Sequence, residues 1–336
     1  MCSRFEGIAA FVRAQYDIYG LPLEIIANHA VLFGMFFDEL RVFRTRGKLN
    51  PSKRIRLVLR ALPRGRDGDS HPASFVPYAE MTSRLFRDPG KMVIRYGRSL
   101  ITVIVHIRKR EIQVAVAPEL SSLPDSAYHL CFTQPLSFWL KKQGLFFLHA
   151  GCVTDGARGI LIVGGSRVGK SVLTVSAVRG GFRFLSDEQP LLSLHKEKLL
   201  VRSFPRRIRL DSSVARVFPE LRSPQLSSQP ERLTIIPEKV WRGCLAPSCE
   251  PRFLIFPEFN HRGRLRLHRM SSVAAFDKLL QDDHFVWYRD NTWGQISRSH
   301  LALFERLIQQ AAAFRLDYRM RDVFKIPSLF RELLRG

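Results

Sequence analysis

Eight consecutive residues, Gly164, Gly165, Ser166, Arg167, Val168, Gly169, Lys170 and Ser171, fit the pattern G-x-x-x-x-G-K-[ST]. Gly164 and Gly169 permit a tight backbone turn, so successive N–H groups point into one concavity that can cradle an anion. A helix starting there adds the positive end of its dipole. Lys170 can reach β- and γ-phosphates, and the Ser171 hydroxyl can hold Mg²⁺. This is the chemistry of ATP with Mg²⁺. Further on, the apolar stretch Phe182–Ser186 ends in Asp187 and Glu188. An acid at the end of such a strand beside a phosphate loop serves Mg²⁺ or the nucleophile, and two acids allow either role or one each. His149 stands before the loop in FFLHAGCV. It reads either as a satisfied core histidine or as a neighbour that orients Asp187. Arg206, Arg207 and Arg209 form the densest positive group nearby. They either turn one face to phosphate or an acidic acceptor, or line a solvated edge strand.

These residues need a frame of strand, loop, helix and strand. Phe146–Val153 and Gly159–Val163 read as strands joined at Asp155–Gly156. Lys170–Arg179 reads as a helix ended by Gly180–Gly181, and Phe182–Ser186 as the next strand. Val172, Thr174, Val175 and Val178 are weak helix formers, so tertiary packing must hold that helix. Short strands follow at Leu191–Leu194, Leu199–Phe204, Leu233–Ile236, Phe253–Phe256 and Leu265–Arg269, with a Ser-, Pro- and Gln-rich loop at Arg222–Glu231. Helices Ser272–Leu280 and His300–Phe314 close the pattern. Upstream, the first ~50 residues read as helical. Strands are expected at Ile55–Leu62, Lys91–Tyr96, Ser99–Ile107 and Glu111–Ala117, the last two a hairpin turning at Arg108–Arg110. The Pro63–Pro77 run punctuates this half, and Pro135–Gln143 reads as a helix. Two regions are expected: a helical then β-rich 1–140, and a nucleotide-binding 141–336.

The 336 residues carry 53 Lys+Arg against 30 Asp+Glu, a formal charge of +23. Residues 1–140 hold +8 of it and residues 141–336 hold +15. With 46% hydrophobic and 25% charged residues, general disorder is excluded. The basic balance fits acidic partners. No recognisable nucleic-acid reading module appears, and aromatics are not interleaved with arginines for stacking, so no specific nucleic acid is expected. Five cysteines without a C-x-x-C pair argue against a disulfide scaffold or zinc ribbon. The N-terminus makes a poor signal peptide, and a cytoplasmic location is expected. Leu21–Phe37 is the most apolar long stretch, but Glu24, Asn28 and His29 interrupt it. A buried or partner-facing helix is expected there. A membrane-surface contact through 21–48 is the lesser alternative, because Arg41, Arg44, Arg46 and Lys48 follow.

The stretch His149–Leu192 resembles the C-terminal kinase domain of HPr kinase/phosphorylase and its looser relatives. The shared features are a histidine strand, a strand running into the phosphate loop, a helix ending in R-G, and a strand running into an acidic pair. A weaker likeness continues through SFPRRIRLDSSVARVFPEL. The resemblance implies an α/β fold of the HPr kinase and phosphoenolpyruvate carboxykinase type. It implies ATP and Mg²⁺, with phosphate passed to a serine or another hydroxyl. By motif, Lys170 and Ser171 bind phosphate and metal, Asp187 takes the acceptor's proton, and His149 pairs with it. Glu188 joins Ser171 and Asp187 as a metal ligand. The family often assembles into rings, so the resemblance is compatible with a homo-oligomer. Three features depart from the pattern. Arg167 follows Ser166 where the family has Gly, and Glu188 replaces a second Asp. The E-x-R-G-x-G signature is absent, with RSFPRRIRL in its place. The departures leave phosphorylase activity, and HPr itself as acceptor, outside the resemblance.

The leading expectation is therefore a kinase for a protein, peptide or small hydroxyl compound. A nucleotide-gated binding module without phosphotransfer is the second reading. A nucleic-acid-acting ATPase is the third.

Overall fold

Val12–Ile18 (β1) and Leu21–Ala27 (β2) form an antiparallel hairpin, not the expected helix. In β1, Ala14, Tyr16 and Ile18 are buried while Arg13 and Asp17 are exposed, which is the period of two that a strand dictates. Tyr19 and Gly20 turn the chain with φ of 53° and 85°. Two consecutive left-handed residues match the twist of hairpin strands. The Gly20 N–H donates to Asp17 Oδ1 at 2.6 Å. The computed structural model describes residues 11–30, 32–62, 82–85, 91–96, 101–117, 128, 132–222, 232–260, 262–282 and 294–335. The Pro63–Pro77 run and most of the Arg222–Glu231 loop lie outside them. The chain divides into two compact units, Met1–Gln143 and Gly144–Gly336.

In the first unit, β2 is flanked by β1 and by Ile55–Ala61 (β3), so Leu21–Ala27 forms no surface helix. A short helix follows at Gly34–Glu39 (α1). Thr82–Leu85 (β4), Lys91–Tyr96 (β5), Ile101–His106 (β6) and Glu111–Val116 (β7) complete one mixed sheet in the order β1-β2-β3-β7-β6-β5-β4. The β6–β7 hairpin turns at Ile107–Arg110, one residue longer than the expected Arg108–Arg110. Gln134–Lys142 is α2. Among the described residues no helix is long and apolar enough to cross a membrane.

The second unit also mixes helices with mixed sheets. The stretch read as one strand is two, Phe146–Phe147 (β8) and Ala150–Thr154 (β9). Leu148 and His149 form the break where the chain changes sheet partners. Arg158–Val163 (β10) leads into the Gly164–Gly169 loop, and the helix Lys170–Arg179 (α3) starts after it. Arg183–Ser186 (β11), Leu191–His195 (β12), Lys198–Arg202 (β13) and Ile208–Asp211 (β14) follow. Next come Ser212–Ala215 (α4), Arg232–Ile235 (β15) and Pro237–Val240 (α5). Ser248–Phe259 (β16), Arg266–Arg269 (β17), Ser272–Asp282 (α6), Gly294–Gln310 (α7), Ala312–Tyr318 (β18) and Ile326–Arg335 (α8) complete the unit.

The long strand β16 organises it. Its first residues pair with β13; further along it runs parallel to β10 on one side and β18 on the other. The carboxyl ends of β10, β16 and β18 therefore lie together, where open α/β sheets bind their ligands. One face packs Leu173, Val175 and Val178 of α3 against Ile162 and Ile255. The other packs Leu161, Leu254 and Phe256 against Leu279 of α6 and Phe304 and Leu307 of α7. The expected helix His300–Phe314 ends early because Ala312–Phe314 pairs with Phe253–Ile255 of β16. Cys152 and Cys249 are buried, with sulfurs 3.8 Å apart across β10. Gly159 makes the room, since a Cβ there would fall 2.3 Å from Cys249 Sγ.

Candidate functional site

The apolar run Ile160–Val163 of β10 is wholly buried, so the chain must turn sharply to regain the surface. Gly164 begins that turn; a Cβ on it would lie 2.7 Å from Val168 Cγ2. Gly169 ends it with φ of 99°. A Cβ there would fall 1.6 Å from Tyr318 Oη. Glycine is thus required at position 169 by both backbone and neighbour. The Tyr318 hydroxyl donates to the Val168 carbonyl at 3.2 Å. Burial pushes its pKa up to about 12, so it stays protonated and keeps donating. Arg167 sits at the crown of the loop with φ of 67° and an exposed side chain. That left-handed backbone suits Gly, the residue of the resembled family, and costs a non-glycine about 1–2 kcal/mol.

Lys170 is buried and folds back over the loop. Its Nζ donates to the carbonyls of Gly164 and Gly165, both at 2.7 Å. Burial lowers its pKa, while the charges of Asp187, Glu188 and Asp282 work to keep it protonated. The Ser171 hydroxyl donates to Asp187 Oδ2 at 2.6 Å. This bond ties the first turn of α3 to the end of β11, so loop and acid form one site. Asp187 is buried and its pKa is raised to about 6. Burial is the main cause, with Glu188 adding to it; the Ser171 bond, Lys170 and Thr174 oppose it. Thr174 acts only by proximity, since neither its Oγ1 nor Asp187 Oδ1 makes a well-formed hydrogen bond.

The neighbouring carboxylate is differently placed. Glu188 Oε2 accepts from Arg206 Nη1 at 2.9 Å, with the arginine side chain 3% exposed and the glutamate 47%. Arg206 therefore points into the protein and fixes Glu188. Arg209 lies on β14, in the two-stranded sheet that β14 forms with β15. His149 is buried in the break between β8 and β9, and its Nδ1 lies 2.9 Å from the backbone carbonyl of Asp282. A carbonyl only accepts, so Nδ1 carries the proton in this contact.

Asp282, the last residue of α6, was not singled out from the sequence. Its Oδ1 stands 3.4 Å from the place where a Gly165 Cβ would be, and its charge acts on Lys170. One signal was available: an acid in the last turn of a helix opposes the dipole, so it calls for another reason. Tyr318 was also missed, being 150 residues from Val168 in sequence.

The donor set can be compared with what Mg²⁺ needs. Asp187 Oδ1 is a buried oxygen without a hydrogen-bond partner, next to the Ser171 hydroxyl. Hard oxygen donors of this kind suit Mg²⁺. Among the described residues no group of three or more His, Cys, Asp and Glu could hold a metal ion. A cation here would therefore keep waters or share phosphate oxygens, as Mg²⁺ commonly does.

No protein-family model matches the chain, and no curated protein matches it. Among solved structures, the HPr(Ser) kinase/phosphatase from Coxiella burnetii is 13% identical over 56% of this chain and 93% of that one, with a TM-score of 0.28. That score is too low to carry a fold or a function across.

Proposed function

We propose that the chain is an ATP- and Mg²⁺-dependent kinase of the HPr-kinase-like, phosphate-loop type, acting on a serine or another hydroxyl of a protein, peptide or small molecule. The observation that carries this reading is the Ser171–Asp187 bond of 2.6 Å. It joins a glycine loop and helix start, built for phosphate, to a buried acid suited to a proton. The loop N–H groups and the amino end of α3 would hold the phosphates. Lys170 would release the Gly164 and Gly165 carbonyls and neutralise charge on the transferring group. Asp187 would take the acceptor's proton as the new O–P bond forms and the bond to the leaving ADP breaks. Mg²⁺, when bound by Ser171 and Asp187, supplies positive charge beside the β- and γ-phosphates. Glu188, held by Arg206, would shape the site from its edge. His149 would position Asp282 through the carbonyl it contacts. On this reading the kinase unit is 141–336, preceded by a separate region 1–140.

The test is transfer of label from γ-labelled ATP with Mg²⁺ to fractionated peptides and small hydroxyl compounds. Asp187→Ala should abolish transfer and retain ATP binding. Undiminished transfer in that variant would remove Asp187 from its role. One observation favours a second reading, a nucleotide-gated module: the Arg206–Glu188 pair withdraws the second carboxylate from metal binding. ATP binding without turnover on any acceptor would select it.

A further inference from the structure

An open groove of about 510 Å³ is lined by Glu258, Phe259, Asn260, Arg262, Arg315 and Asp317. It lies at the carboxyl ends of β16 and β18, whose registers pair Glu258 with Asp317 and Phe259 with Tyr318. A chain of contacts joins it to the loop. The Phe259 and Tyr318 rings meet edge to face at 5.5 Å, and Tyr318 holds the Val168 carbonyl. Pro257, two residues before Phe259, stands beside the start of the loop, with its Cδ 3.9 Å from where a Gly164 Cβ would be.

The lining has two kinds of group. Phe259 is 39% exposed, so part of its apolar surface faces this space. Around it stand carboxylates already held in place. Asp317 Oδ1 lies 3.2 Å from the charged Arg315 Nε, and its Oδ2 contacts His268 Nε2 at 3.1 Å. Glu258 lies 3.7 Å from Arg315 and 3.8 Å from Lys278. Asn260 Oδ1 is used up by the N–H groups of Arg262 and Gly263, which turns its amide nitrogen into a fixed donor. The groove has no large excess of either charge. A phosphate would meet two carboxylates there, so the occupant is not a second anion.

We propose that this groove takes the base and sugar of the nucleoside triphosphate whose phosphates the glycine loop holds. An aromatic face stacks on any base, fixed carboxylates accept from sugar hydroxyls, and the Asn260 amide donates to a ring nitrogen. The volume falls in the range of small-molecule sites. The proposal rests on the phosphate-loop reading above and adds a second half to that site.

The experiment is titration calorimetry of the full chain with Mg-ATP and with Mg-tripolyphosphate, which has the phosphates but no base or sugar. The wild type should bind ATP more tightly than tripolyphosphate. Phe259→Leu and Asp317→Asn should each weaken ATP about tenfold and leave tripolyphosphate unchanged, which also shows that the variants are folded. Equal losses for both ligands would mean that the residues act only by bracing the loop, and would overturn the subsite. So would unchanged ATP affinity in both variants. A wild type that binds neither ligand would instead overturn the phosphate-loop reading itself, and the subsite with it.

Discussion

Asp187→Asn is expected to stabilise the protein at neutral pH and, on the kinase reading, to stop the proposed phosphotransfer. Asp187 is buried, with a pKa of about 6 against the ordinary 3.8. Between those values the folded state holds a proton that the unfolded chain has lost. Stability therefore falls as pH rises through that window. At about 1.36 kcal/mol for each factor of ten, the full loss is about 3 kcal/mol above pH 7. Asparagine keeps the shape, and its side-chain oxygen can still accept from Ser171, but it carries no charge to bury. The variant should be more stable by about 3 kcal/mol at pH 7.5 and by only about 1 kcal/mol at pH 4.5. Urea unfolding at the two pH values, followed by tryptophan fluorescence, measures both gaps. A variant less stable than the wild type at pH 7.5, or a gap that ignores pH, would refute the idea that folding holds this carboxylate against its preference.

Gly169→Ala adds a methyl 1.6 Å from Tyr318 Oη at a φ of 99°, and should lower stability by about 2–3 kcal/mol and abolish nucleotide binding. Gly20→Ala is its control, with φ of 85° but no atom within 4 Å, and should lower stability by only about 1 kcal/mol. Equal losses in urea unfolding would show that Tyr318 does not enforce the glycine. Arg206→Met should cost about 1–2 kcal/mol, less than the loss of a fully buried pair, because Glu188 is 47% exposed. A double-mutant cycle with Glu188→Gln should recover part of that loss; strict additivity would argue that the pair is not coupled.

The parts of the site legible in the sequence were those fixed by local chemistry. The glycines, Lys170 and the apolar run of β10 specify strand, loop and helix within a few residues, and α3 spans Lys170–Arg179 as expected. Its β-branched residues are tolerated because Val172, Thr174, Val175 and Val178 are all buried, so packing decides. What was lost depends on distant partners. Ala312 and Ala313 favour helix locally, yet pairing with β16 makes them strand. Tyr318, Asp282 and the partner of Arg206 come from the same kind of long-range assembly. The N-terminal hairpin is a different case. The alternation of Ala14, Tyr16 and Ile18 and the Tyr19–Gly20 turn were present in the sequence, but the apolar run after them hid the period of two.

The Tyr318 hydroxyl that braces Val168 has a consequence for the order of events during synthesis. The loop leaves the ribosome 150 residues before the side chain that closes it. Closing so long a separation is slow, and it waits for β18 to dock on β16. A growing chain that already displays Gly164–Ser171 thus lacks the brace for its loop. Competence to hold a nucleotide would arrive late, with the last strand, and would report that the whole unit has folded.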